Sequence, residues 1–169
     1  LWPYVEMGNH TARYDFGIGF QANPNTVANT LDGVVALPSP LYYCPSDRPG
    51  GLWKGDQYWR ARGNFCINWG DVRQPNTGQP APTGNAPFGY TDYATRTRPR
   101  TTKLSQVVDG TAFTLLLSEQ VMPATDEVAD WRGDMLNDDE QCGRFMTLDP
   151  PNAGTDELRA AWCKDQPPL

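Results

Sequence analysis

The sequence predicts an α+β fold made of short strands, a helix and long irregular loops. The chain has 169 residues with 16 Gly and 16 Pro, and only 38% of its residues are hydrophobic, so a bundle of long helices is disfavoured. Residues 63–69 alternate between two faces, with Phe65 and Ile67 on one of them, as a half-buried strand does. Near the start, Pro3 suits the first turn of a helix over residues 1–16.

The remaining elements follow from apolar runs and from turn residues. Asn25 to Leu31 predicts one or two helical turns, and residues 71–93 contain so many Pro and Gly residues that they predict a long loop. Leu104 to Gly110 predicts a single helical turn that ends at glycine. We expect four antiparallel strands packed on the helix, at residues 41–44, 63–69, 113–121 and 144–148.

Length and charge limit the organisation and the partners. A chain of 169 residues predicts one domain, residues 1–169. The formal net charge of −6 disfavours nucleic acids and anionic membrane surfaces as partners. No apolar run in the given chain is long enough to span a bilayer.

Four cysteines occur without a C-x-x-C pair, at Cys44, Cys66, Cys142 and Cys163. A zinc site of standard spacing is therefore disfavoured. If the protein is exported, two disulfides are expected, and of three connectivities the sequence-local one (Cys44 with Cys66, Cys142 with Cys163) closes loops of about 20 residues. Four buried reduced thiols are the alternative.

An acidic stretch offers several hard oxygen ligands of the kind that Ca²⁺ prefers. The candidate calcium ligands are Asp130, Asp134, Asn137, Asp138 and Asp139. In the alternative interpretation Asp130 and Asp134 cap turns or pair with Arg132 and Arg144.

Aromatic residues and arginines are dense between residues 53 and 62. Trp53, Tyr58, Trp59 and Arg60 could stack on and hydrogen-bond a sugar, which makes them a candidate site for an extracellular glycan. More often such residues anchor a core or a subunit contact.

No catalytic constellation is visible in the chain. The one histidine, His10, has no serine in a G-x-S-x-G context to pair with, and no phosphate-binding glycine motif occurs. We therefore predict that the protein is not an enzyme.

Several segments, in this order along the chain, resemble one known family. They are Leu1–Glu6 (LWPYVE), Tyr43–Asp47 (YCPSD), Arg62–Gly70 (RGNFCINWG), Leu104–Glu119 (LSQVVDGTAFTLLLSE) and Arg132–Asp139 (RGDMLNDD). Together they are similar to the planctomycete prepilin-type proteins, in which a hydrophobic helix precedes a globular domain of unknown function.

The resemblance implies an exported protein of the cell surface or periplasm, with a pilin-like or pseudopilin-like head and a structural or surface-interaction role. It implies self-assembly or assembly with other pilin-like subunits, and membrane contact only through an N-terminal pilin helix that this chain lacks. A closing C-terminal strand of the family is also expected to be missing. Members have been labelled solute-binding-like, so an extracellular binding module for a glycan or small solute is the alternative.

Overall fold

Three small β-sheets organise the described part of the chain. The computed structural model describes residues 2–71, 85–92, 98–137, 142–148 and 150. The strands are β1 (Leu52–Trp53), β2 (Arg60–Ala61), β3 (Phe65–Gly70), β4 (Tyr90–Asp92), β5 (Arg98–Pro99), β6 (Leu117–Glu119) and β7 (Arg144–Met146). The α-helix in the described part of the chain is α1 (Gly8–Arg13), and 3₁₀ turns cover Trp2–Tyr4, Val34–Ala36, Pro40–Tyr42 and Leu104–Gln106. The fold is therefore α+β.

The largest sheet has the strand order β6-β3-β7. β3 pairs antiparallel with β6, where Cys66 lies opposite Ser118. It pairs in parallel with β7, where Ile67 lies opposite Arg144. The prediction of a purely antiparallel sheet is thus wrong at β7, because nothing in the strand's own composition shows the direction in which it enters the sheet.

The two smaller sheets are two-stranded. β1 and β2 pair antiparallel, with Leu52 opposite Ala61 and Trp53 opposite Arg60. β4 lies inside the region predicted as a loop, and it pairs with β5, which lies after that region. Of that predicted loop, residues 72–84 lie outside the described residues.

The predicted N-terminal helix over residues 1–16 is much shorter than expected. Glu6 adopts a positive φ of 61°, which interrupts the helical path between the first 3₁₀ turn and α1. No helix in the described part of the chain is both long and apolar enough to cross a bilayer.

Three other predicted elements differ from the structure. Residues 25–31 form turns rather than a helix, and Asn25 bonds the backbone of Asp15 through its side chain instead. Residues 41–44 are not a strand, since Pro40 starts a 3₁₀ turn there. The predicted strand over residues 113–121 is limited to β6, and the predicted helical turn after Lys103 is confirmed as a 3₁₀ turn.

Alternation along β3 gives the sheet two different faces. Asn64, Cys66 and Asn68 are buried on one face. Asn64 donates from Nδ2 to Asp47 Oδ2 (2.6 Å) and to the Gln120 carbonyl (2.9 Å), so this face is closed by hydrogen bonds from neighbouring loops. The other face, which carries Phe65 and Ile67, opens onto a groove.

Candidate functional site: an apolar groove and its arginine-rich support

An apolar groove of about 730 Å³ lies over the open face of the large sheet. Its floor includes Phe65 and Ile67 of β3 and Leu117 of β6, which lies opposite Ile67 in the antiparallel register. Adjacent side chains on one sheet face come from alternate residues of each strand, so the period-2 pattern of β3 creates this floor directly.

A wall of the groove comes from the N-terminal segment and from the 3₁₀ turn that begins at Val34. The N-terminal segment contributes Val5, Met7 and Tyr14, and the turn contributes Val34 and Val35. Met7, Val34 and Val35 are themselves buried, so the wall is anchored by packing and leaves only part of its apolar surface facing the groove.

A few polar groups interrupt the apolar lining. The Nε2 atom of His10 is buried and has no hydrogen-bond partner among the described residues. The hydroxyl of Ser39 donates to the Met7 sulfur at 3.1 Å, which is a weak acceptor. Burial raises the pKa of Tyr14 and of Tyr42, both of which border the groove. The groove thus combines a large apolar surface with a small number of polar atoms.

Beneath the groove, β2 separates it from a buried arginine cluster. Ala61 faces the groove, whereas Arg60 and Arg62 are 1% and 0% exposed and lie on the other side. Arg60 binds Asp134 with two hydrogen bonds, from Nε to Oδ1 at 2.8 Å and from Nη2 to Oδ2 at 2.5 Å. Burial lowers the pKa of Arg60, but the carboxylates of Asp134 and Asp56 together raise it more, and the net direction is upward.

Within the described residues Arg62 has no carboxylate bound in this way, and it is held mainly by backbone carbonyls. It donates to the carbonyls of Leu52 (2.8 Å), Asp130 (2.6 Å) and Arg132 (2.5 Å). Burial lowers its pKa to about 10. Because a planar guanidinium can serve several acceptors at once, this one side chain joins β1 to the loop at residues 128–132.

The four residues of the predicted glycan site fall into a buried pair and a half-buried pair. Trp53 is 3% exposed, and its ring lies 4.9 Å from the guanidinium carbons of both Arg60 and Arg62. Trp53 and Arg60 are therefore both packed in the core, which disfavours their contact with a glycan, and the glycan site stays a prediction. Tyr58 and Trp59 are half-buried, and Lys54 Nζ lies 5.2 Å from the Trp59 ring.

The acidic stretch is brought into the same cluster. Asp130 binds Arg132 (2.7 Å) and Asp134 binds Arg60, and both carboxylates are fully buried. The alternative interpretation, in which these two carboxylates pair with arginines, agrees with the structure. The partner of Asp134 differs from the prediction, since Asp134 binds Arg60 instead of Arg132 or Arg144. Among the described residues no group of three acidic, histidine or cysteine side chains could hold a metal ion. Asp138 and Asp139 lie outside those residues, so the calcium prediction stays untested.

The predicted bridge between Cys44 and Cys66 is not formed, since both carry free thiols. The backbone of Cys44 lies against Asn64, to which its N–H donates at 2.8 Å, whereas the Cys66 thiol contacts the Ser118 carbonyl at 3.6 Å. Burial raises the pKa of Cys66 to about 11. Cys142 is fully buried, and Cys163 lies outside the described residues.

Sequence reasoning missed the groove because its walls come from residues far apart in the chain. One signal was available, namely that the 63–69 strand places Phe65 and Ile67 on one face while its polar side chains occupy the other. What the sequence did not show is that the polar face is the fully buried one.

Comparison with known proteins gives one result. Residues 1–165 match the model of a family described as protein of unknown function (DUF1559), whose short name, SBP_bac_10, is of the solute-binding type. Neither the curated proteins nor the solved structures that were searched include a match to the chain. Because the match covers almost the whole sequence, the chain belongs to the DUF1559 family of proteins of unknown function.

Proposed function

We propose that this chain is the globular head of an exported, non-enzymatic, pilin-like subunit, and that its apolar groove packs against an apolar helix in the assembled subunit. The observation that carries the proposal is the open face of the sheet. One face of β3 is closed by loops, while Phe65 and Ile67 on the other face line a groove of about 730 Å³. A sheet whose two faces are both apolar or buried requires a layer on each side.

The shape and lining of the groove favour a helix over a sugar. Carbohydrate sites need many hydrogen-bonding groups, whereas this groove is bordered mainly by Val, Leu, Met, Phe and Trp side chains. A helix with an apolar stripe places side chains every three or four residues against such a surface. The resemblance of the ordered sequence segments to prepilin-type proteins supports the same occupant.

The proposal is tested in the source cells with the full-length subunit carrying Ile67→Asp. A carboxylate on the groove floor cannot be desolvated against an apolar helix, so we expect at least a tenfold loss of the subunit from sheared surface filaments. Val108→Asp is the matched control, because Val108 is 89% exposed and does not line the groove. Near-UV circular dichroism of the isolated chain shows whether each variant folds. Equal recovery of both folded variants in filaments contradicts the proposal.

A second candidate function, an extracellular binding module for a small apolar solute, is favoured by one specific observation. The Nε2 atom of His10 is buried without a hydrogen-bond partner among the described residues and borders the groove, and a mostly apolar cavity of this size with few polar groups is typical of small-ligand sites. Trp2 lines the groove, so a bound solute should change its fluorescence. If the wild-type subunit is recovered only as isolated particles, and an apolar dye binds it but not Ile67→Asp, this second function replaces the first.

A further inference from the structure

We infer that the free edge of β6 and the apolar strip beside it form a self-association surface, on which a second copy of this chain adds its own β6 antiparallel. The apolar strip consists of the exposed apolar residues that flank β6 in the chain, namely Phe113, Leu115, Leu116 and Val121. This inference goes beyond the proposed function and does not depend on the occupant of the groove.

The first step is the direction of the backbone groups of β6. The Asn68 N–H donates to the Leu116 carbonyl at 3.1 Å, and the Gln120 N–H donates to the Asn64 carbonyl at 2.7 Å. In an antiparallel pair the residues that bond the partner strand alternate with residues that do not. Leu117 and Glu119 therefore direct their N–H and C=O groups away from β3, and among the described residues those groups have no hydrogen-bond partner.

The second step is the absence of the usual protection of a sheet edge. Natural edges carry Lys, Pro or bulges that discourage pairing with another chain. Between residues 110 and 121 the sequence has a single charged residue, Glu119, and no proline. The ladder of β3 and β6 is also regular over its three residue pairs, without a bulge.

The third step is the exposed apolar surface. Phe113 is 88% exposed, and Leu115, Leu116 and Val121 are 56%, 48% and 58% exposed. Taking about 150–200 Å² for a whole large apolar side chain, the strip presents roughly 400 Å² per copy. With the paired backbones added, two copies reach about 1,000 Å², the size that a specific interface requires.

A second copy of the chain is the partner that accounts for both the free strand edge and the apolar strip. A strand edge is self-complementary in the antiparallel direction, and a two-fold axis places the apolar strip of one copy beside that of the other. The net charge of −6 opposes association in general, but the acidic residues are concentrated after residue 125 and the strip itself is nearly uncharged.

The test is sedimentation equilibrium of the full chain from micromolar to near-millimolar concentration. We expect the mass to rise from 18.8 kDa toward twice that value, and amide exchange of Leu117 and Glu119 to slow as the dimer forms. Glu119→Pro removes one outward N–H and leaves the bonds to β3 intact, so it should keep the chain monomeric. Leu31→Lys, at an exposed position outside both β6 and the strip, is the control and should dimerise as the wild type does.

Two results overturn the inference: a wild-type chain that is monomeric throughout, or a dimer whose formation does not slow exchange at Leu117 and Glu119. If Glu119→Pro fails to fold, Val121→Lys decides instead, with at least a tenfold weaker dimer expected. Val5→Asp, which changes the groove at the N-terminal segment and not at β3 or β6, should leave dimerisation unchanged, and this result separates the self-association surface from the groove. Binding of an unrelated extended peptide by a monomeric chain would also contradict a second copy as the occupant.

Discussion

The buried pair of Arg60 and Asp134 should be one of the most sensitive positions in the molecule. Asp134 is 0% exposed and binds both Nε and Nη2 of Arg60. Asp134→Asn keeps the shape of the side chain but leaves a buried guanidinium without its buried counter-charge, so that only the partly exposed Asp56 remains. Breaking such a pair from one side costs about 3–5 kcal/mol. In a domain of this length, each kcal/mol lowers Tm by about 2–4 °C, so we expect Tm to fall by roughly 6–20 °C.

A second carboxylate on the same arginine provides the matched control. Asp56 lies 3.2 Å from Nη1 of Arg60, but its side chain is 38% exposed. Asp56→Asn should therefore cost less than about 1 kcal/mol. Urea unfolding followed by tryptophan fluorescence measures both variants under identical conditions. If Asp134→Asn is no more destabilising than Asp56→Asn, then burial does not determine the strength of this pair and the reasoning fails.

Two further predictions concern titration and thiol reactivity. Burial raises the pKa of Asp47, but the hydrogen bonds that its carboxylate accepts, the first of them from the Met122 N–H, together with the charge of Arg48, lower this pKa by more. The net direction is downward. The contribution of the Asp47 carboxylate to stability should therefore be complete above its ordinary pKa of about 4 and be lost at lower pH. Asp47→Asn should then flatten the dependence of Tm on pH between about pH 5 and 2. A variant with the same pH dependence as the wild type contradicts this prediction. For the thiols, the pKa of about 11 and the burial of Cys66 predict that iodoacetamide labels half-buried Cys44 at least ten times faster in the folded protein. Mass spectrometry of the labelled peptides measures both rates, and equal labelling, or none without reductant, would contradict the free-thiol arrangement.

Local patterns predicted the strands but not the way in which they pair. The alternation in residues 63–69 and the short run after Gly143 are confirmed as β3 and β7. Their parallel pairing depends on the path of about 70 intervening residues, which no local pattern records. The predicted strand at residues 41–44 failed for a local reason, since Pro40 favours a turn start over ladder pairing.

The candidate site could be predicted only in its parts. The density of aromatic residues and arginines around Trp53 and Arg60 predicts either a glycan site or a packed core, because a stacked pair of tryptophan and arginine has the same composition in both. The distinction depends on Asp134, 74 positions away from Arg60 in the chain. The groove likewise depends on residues that are far apart in the chain, because the N-terminal segment, β3 and β6 all line it.

Arg62 has a consequence for how the chain folds. Its guanidinium bonds the carbonyls of Asp130 and Arg132, which lie 68 and 70 positions away. Closing so long a loop costs entropy before any bond is gained, and contacts of this range slow folding. We therefore expect the loop at residues 128–132 to reach its final conformation only after β1 and β2 have paired and positioned this arginine. In folding experiments, protection of that loop should follow the hairpin and never precede it.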